Sequence, residues 1–118
     1  MKEAKTSWVK IFVGLREGYD GPVHSQINPI LAVREYCDEE GLCATITQTT
    51  FLYTDGQEPG IEIGLINYPR FPQKPYEILK KAKEIARRLM VMLKQNRISI
   101  MDPFTTYMLE KEKGDDQI

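Results

Sequence analysis

Ile78, Leu79, Ala82, Ile85, Ala86, Leu89 and Leu93 recur at three- and four-residue intervals. That spacing puts them on one face of a helix and leaves Lys80, Lys81, Lys83, Arg87 and Arg88 on a solvated basic face. Pro75 suits the first turn of this helix, and Asn96 reads as its end. A helix with one apolar face must cover something apolar, and alternating segments elsewhere in the chain supply it. In 8–15, Val9, Ile11, Val13 and Leu15 share one face, with Lys10, Phe12 and Gly14 opposite. Ile61, Ile63 and Leu65 alternate in the same way, with Glu62, Gly64 and Ile66 on the reverse face.

The remaining elements follow from local chemistry. A loop spans 16–28. Asn28-Pro29 reads as the N-cap and first residue of an earlier helix. Ile30, Val33, Tyr36 and Cys37 fall at helical spacing within it, and Gly41 is its stop. The threonine- and aromatic-rich run 42–54 is a long strand, and DGQEPG, 55–60, has turn chemistry. RISIM, 97–101, is another strand, broken by Asp102-Pro103. The segment 104–110 reads as a fifth C-terminal strand or an arm reaching a neighbour, and 111–118 as a disordered tail. The order βαββαβ predicts an α+β, ferredoxin-like domain over 1–110: a four-stranded antiparallel sheet with two helices on one face.

With 118 residues the chain has room for one domain. A net charge of −1 and a pI near 5.9 argue against nucleic acid as a partner. The strand at 61–66 also lacks the basic and aromatic residues of an RNA-recognition module. No apolar run approaches the roughly 18 residues of a membrane span, and MKEAKTSW lacks a signal-peptide core. The expected compartment is the cytoplasm, or the host cytoplasm if the chain is viral. Cys37 and Cys43 form no CxxC, and His24 is the single histidine. Reduced thiols, no metal and no cofactor are therefore expected.

The sheet face away from the helices would present Phe12, Gly14, Thr45, Thr47, Thr49, Phe51, Tyr53, Glu62, Ile66 and Met101. That mixture is too apolar for open water and too polar for a core, which marks an interface or ligand site. Unpaired strand edges add a reason for assembly. A homo-oligomer is expected, with a trimer favoured by analogy with folds of this type.

The segment NYPRFPQKP, 67–75, carries Pro69, Pro72 and Pro75. Each proline fixes φ and biases its predecessor away from helix, so an extended ribbon is expected. It is either a connector or a stiffened mount for Asn67, Arg70 and Phe71. Arg70 offers a planar fork for phosphate or carboxylate, Phe71 a stacking face, and Asn67 a partner for a polar base edge. Arg16 and His24, in the loop after the first strand, are further ligand contacts. No P-loop or GxGxxG occurs. These residues suit a binding protein for a nucleotide-like small molecule, with its site between subunits.

The element order and the threonine-rich second strand resemble the PII-like ferredoxin-fold proteins, a resemblance that implies nucleotide binding in clefts between subunits. FVGLREG, GLCATITQTT, a tyrosine in the second strand and a glutamate just before the third are similar to the phage S-adenosylmethionine lyases. That resemblance implies catalytic roles for Tyr53 and Glu58 (or Glu62), with methylthioadenosine and homoserine lactone as products. The phage Thoeris anti-defence proteins, which sequester immune signalling nucleotides, are a third group that the chain resembles in being a small oligomeric ligand binder.

Overall fold

The computed structural model describes residues 1–111. Along it run β1 (Trp8–Gly14), α1 (Ile27–Glu40), β2 (Ala44–Tyr53), β3 (Gly56–Ile66), α2 (Pro75–Met92), β4 (Arg97–Met101) and β5 (Thr106–Glu110). The strands make one antiparallel sheet in the order β2-β3-β1-β4-β5. The arrangement is α+β and consistent with the expected ferredoxin-like fold. The segment after Pro103 is a strand of its own chain, paired with β4. Beyond Lys111, the tail expected at 111–118 lies outside the described residues. Lys111 itself donates its amide to Asn96 O at 2.9 Å.

Both helices lie on one face, over Val9, Ile11, Val13, Ile61, Ile63, Leu65, Ile98 and Ile100, all buried. The α2 stripe fills this core, with Ile78, Ala82, Ile85, Ala86, Leu89 and Leu93 buried and Leu79 packed beside them. From α1 come Val33 and Tyr36, whereas Ile30 turns outward. Tyr36 is 1% exposed and its hydroxyl donates to Glu84 Oε2 across the helix pair. Burial first, and then this hydrogen bond, push the Tyr36 phenol well above its ordinary pKa. Arg88 covers the ring at 4.8 Å and reaches Glu39 at 3.5 Å. Burial likewise raises the half-buried Cys37 thiol.

Three boundaries differ from those expected. α1 begins at Ile27 because the Ser25 hydroxyl accepts the Ile27 amide at 3.2 Å. Pro29 then falls in the first turn, where its missing N–H costs nothing. α2 ends at Met92, before Asn96, and Lys94 takes a left-handed φ of 51° to turn the chain. The broad turn expected at 55–60 contracts to Thr54-Asp55. Asp55 adopts φ 63°, which aspartate tolerates better than most residues, and Gly56 already pairs with Tyr53. Gln57, Glu58 and Pro59 are therefore strand. Pro59 is accepted there because β1 has ended on that side: Pro59 O takes the Leu15 amide at 3.0 Å, and Leu15 O is already occupied by the His24 amide.

Candidate functional site

The antiparallel register sets rows of side chains on the open face. Thr47, Glu62, Phe12, Ser99 and Met108 form one row, and Thr45, Gly64, Lys10, Met101 and Thr106 the next. Nearer the end of β1, Gly14 stands opposite Gly60, and Phe51 opposite Glu58. The two glycines leave a recess where side chains would otherwise stand. The Phe51 ring occupies the space over Gly60, and the Glu58 carboxylate lies over Gly14. Phe12 meets Phe51 edge-on, with centroids 6.5 Å apart, and the Tyr53 ring lies over Gly56. An aromatic run thus borders a carboxylate.

Glu58 Oε2 is buried and has no hydrogen-bond partner among the described residues. A second acceptor faces the same glycine. Gln95 Oε1 lies 3.0 Å, and Glu58 Oε2 2.6 Å, from the point where a Cβ on Gly14 would sit. Gln95 is held there by donating through Nε2 to Arg16 O at 2.7 Å and Leu93 O at 3.1 Å. Sequence reasoning missed Gln95. Lys94-Gln95-Asn96 falls at the expected end of the helix, and nothing in it separates the buried amide from its exposed neighbour Lys94.

At the same end of the sheet, but on its helix-covered side, an open cleft of about 520 Å³ lies between Leu15 and Gln26, at the two ends of the loop, and Gln48, Thr50 and Pro59 of the β2–β3 hairpin. The loop is folded on itself. Arg16 bridges to Val23 and its Nη1 donates to Gly21 O at 3.2 Å. His24 Nε2 approaches Glu17 Oε1 to 2.9 Å, without the alignment of a hydrogen bond.

The expected site residues therefore divide. Arg16, His24 and Glu58 gather at one end of the sheet, with Tyr53 further along the hairpin. Glu62 stands mid-sheet, where Lys10 Nζ holds its carboxylate at 3.2 Å. Asn67, Arg70 and Phe71 lie at the other end, seven residues down β3 from Gly60, roughly 20 Å away at strand rise. There the ribbon begins with a turn, Phe71 N to Tyr68 O at 2.8 Å, and is extended only from Pro72 to Lys74. The Asn67 side chain is committed to backbone, donating to Lys5 O at 2.7 Å and accepting from Gln73 N at 2.8 Å. Arg70 stacks over Phe71 at 5.3 Å, and Phe71 packs near Tyr68 and Gly41. Among the described residues no three His, Cys, Asp or Glu side chains cluster as a metal site, and no helix is long and apolar enough to cross a membrane.

No family model matches the chain, and no curated protein matches it. Solved structures do. A phage SAM lyase in complex with S-methyl-5'-thioadenosine superposes with a TM-score of 0.78 at 15% identity, covering 94% of each chain. A phage SAM lyase in its apo state gives 0.75 at 18% identity, over 91% of this chain and 90% of the other. Likeness at this identity is likeness of fold. Of the three resemblances drawn from sequence, it supports the phage SAM lyases.

Proposed function

We propose that this chain binds S-adenosylmethionine and cleaves it to methylthioadenosine and homoserine lactone. The observation that carries the reading is Glu58 Oε2, a buried acceptor with no donor of its own, set in a glycine recess beside Phe51. Buried polar groups are nearly always satisfied, and an exception of this kind points to a ligand. The fold shared with phage SAM lyases, one of them holding methylthioadenosine, adds support.

The chemistry asks little of the protein in proton transfer. The substrate's own carboxylate oxygen attacks Cγ of its methionine half, the Cγ–S bond breaks, and the sulfonium takes the electron pair to become a neutral thioether. No proton moves. A carboxylate and a sulfonium cancel as the ring closes, so a site poor in water favours the transition state over the separated charges. What remains is to fold a flexible substrate into attack geometry, which positioning alone accomplishes powerfully. In this reading the aromatic run Phe12, Phe51 and Tyr53 supplies the apolar wall, Glu58 orients the substrate, and Lys10 keeps Glu62 out of the reaction. Arg16 and His24 hold the loop at the mouth of the cleft. Arg70 and Phe71 reach the same ligand only from another copy of the chain, in a homo-oligomer with its sites between subunits.

Incubation with S-adenosylmethionine, followed by chromatography, tests this. Methylthioadenosine should accumulate, and Glu58→Gln should abolish it. Recovery of intact substrate, together with tight binding of some nucleotide, would replace the lyase with a sequestering protein.

A further inference from the structure

Gln95 is 5% exposed, a buried amide at the seam between α2 and β4. Its Nε2 donates to two carbonyl oxygens, of Arg16 and Leu93. The amide cannot flip without setting its own oxygen against both of them. Oε1 is therefore fixed toward Gly14, where it and Glu58 Oε2, which has no partner among the described residues, lie within 3.0 Å and 2.6 Å of the same point. A buried acceptor such as Glu58 Oε2 is costly in a medium of low dielectric until a donor joins it.

We infer that Glu58 and Gln95 form a two-acceptor cradle for a primary ammonium group, which, on the function proposed above, is the α-ammonium of S-adenosylmethionine. An ammonium carries three diverging N–H donors on one atom, so a single group serves both oxygens, and its charge complements Glu58. A ribose diol would also donate, through two hydroxyls, but carries no charge to complement Glu58. An anionic group finds no cation here, because the Arg16 guanidinium is turned to Gly21 O and only the Arg16 carbonyl faces Gln95. Entry requires the half-buried Glu58 side chain to swing outward. With the ammonium held, Cα is fixed and the substrate carboxylate is free to turn onto Cγ. Gln95 thus contacts the ligand beside Glu58 and fixes its amino-acid half.

Calorimetry on the full chain tests this with three probes: methylthioadenosine, S-adenosylhomocysteine, and the same thioether lacking its α-amino group. S-adenosylhomocysteine should bind at least about tenfold tighter than the deaminated compound. Gln95→Met should shrink that ratio while leaving methylthioadenosine affinity unchanged. Equal affinity of the two thioethers in the unaltered protein overturns the cradle. A Gln95→Met variant that weakens all three probes alike shows a structural role only and overturns the assignment of Gln95. If methylthioadenosine fails to bind, the function proposed above falls; if S-adenosylhomocysteine also fails to bind, the cradle falls with it.

Discussion

Gly14 lies directly opposite Gly60 in the β1–β3 ladder, and the space their absent side chains leave is filled from two sides, by the Glu58 carboxylate and by the Phe51 ring. The two positions nonetheless differ in what a methyl group would meet.

At Gly60 an added Cβ would run into the Phe51 ring and would stand 2.7 Å from Val13 O, which is backbone and cannot yield cheaply. Gly60→Ala should cost about 1–3 kcal/mol in denaturant unfolding. At Gly14 the first atoms met belong to the ends of two side chains, Glu58 and Gln95. Gly14→Ala should fold with a smaller loss while expelling Glu58 from the recess, so ligand affinity falls more than stability. A Gly14→Ala protein that binds normally would show that the Glu58 position over Gly14 is not the one used.

Glu58→Gln replaces a buried, unpartnered carboxylate oxygen with a neutral amide, which is less costly to bury. Thermal unfolding should show a gain of about 1 kcal/mol, with methylthioadenosine production abolished. Stability bought at the expense of activity is the mark of a residue kept for function. A fall in melting temperature would mean that Glu58 has a stabilising role in the fold.

Tyr36→Phe removes the hydroxyl that joins α1 to Glu84 of α2 and should destabilise the fold by about 1–3 kcal/mol without touching ligand affinity. It also has a pH signature. An unfolded tyrosine releases its proton near pH 10, whereas folded Tyr36 keeps it to higher pH. Its contribution is therefore complete below about pH 10 and is lost as pH rises beyond that value. Unfolding free energy measured from pH 8 to 11 should decline more steeply in the unaltered protein than in Tyr36→Phe; parallel curves would contradict the shift.

Much of this architecture is legible in the chain because periodicity reports burial directly. The α2 stripe and the alternation at Val9, Ile11, Val13 and at Ile61, Ile63, Leu65 name the core almost residue by residue. Turns are less legible: Asp55 accepts a left-handed φ that makes the hairpin far tighter than DGQEPG suggests. The site is least legible. Glu58 is legible only as one of two carboxylates, with Glu62, near the hairpin, and Gln95 not at all, since its place depends on the Arg16 carbonyl, brought from a distant part of the chain. The proline segment drew attention for its composition, yet it stands at the far end of β3 from the carboxylate.

Arg70 and Glu58 can therefore serve one ligand only across a boundary between copies. Gel filtration with light scattering should give a mass of at least two 13.6 kDa subunits. Arg70→Ala should reduce affinity more than tenfold, or about 1.4 kcal/mol, with little change in melting temperature. Mixing Arg70→Ala, weakened in binding, with Glu58→Gln, inactive alone, should give more turnover at sub-saturating substrate than either variant by itself. Phe71→Ala, at a half-buried position, should cost less than the about 3–5 kcal/mol of a fully buried phenylalanine. Normal turnover by Arg70→Ala would make the proline segment a strap alone.

The side chain of Asn67, one amide spent on Lys5 O and on the Gln73 amide, ties three stretches of chain that share no helix and no common strand. Local opening of any one of them releases the others. Hydrogen exchange at the Gln73 amide is thus a remote gauge of whether residues 5–7 are seated: protection there should vanish when the N-terminal segment is trimmed, although Gln73 lies in a stretch with no ladder or helix to protect it.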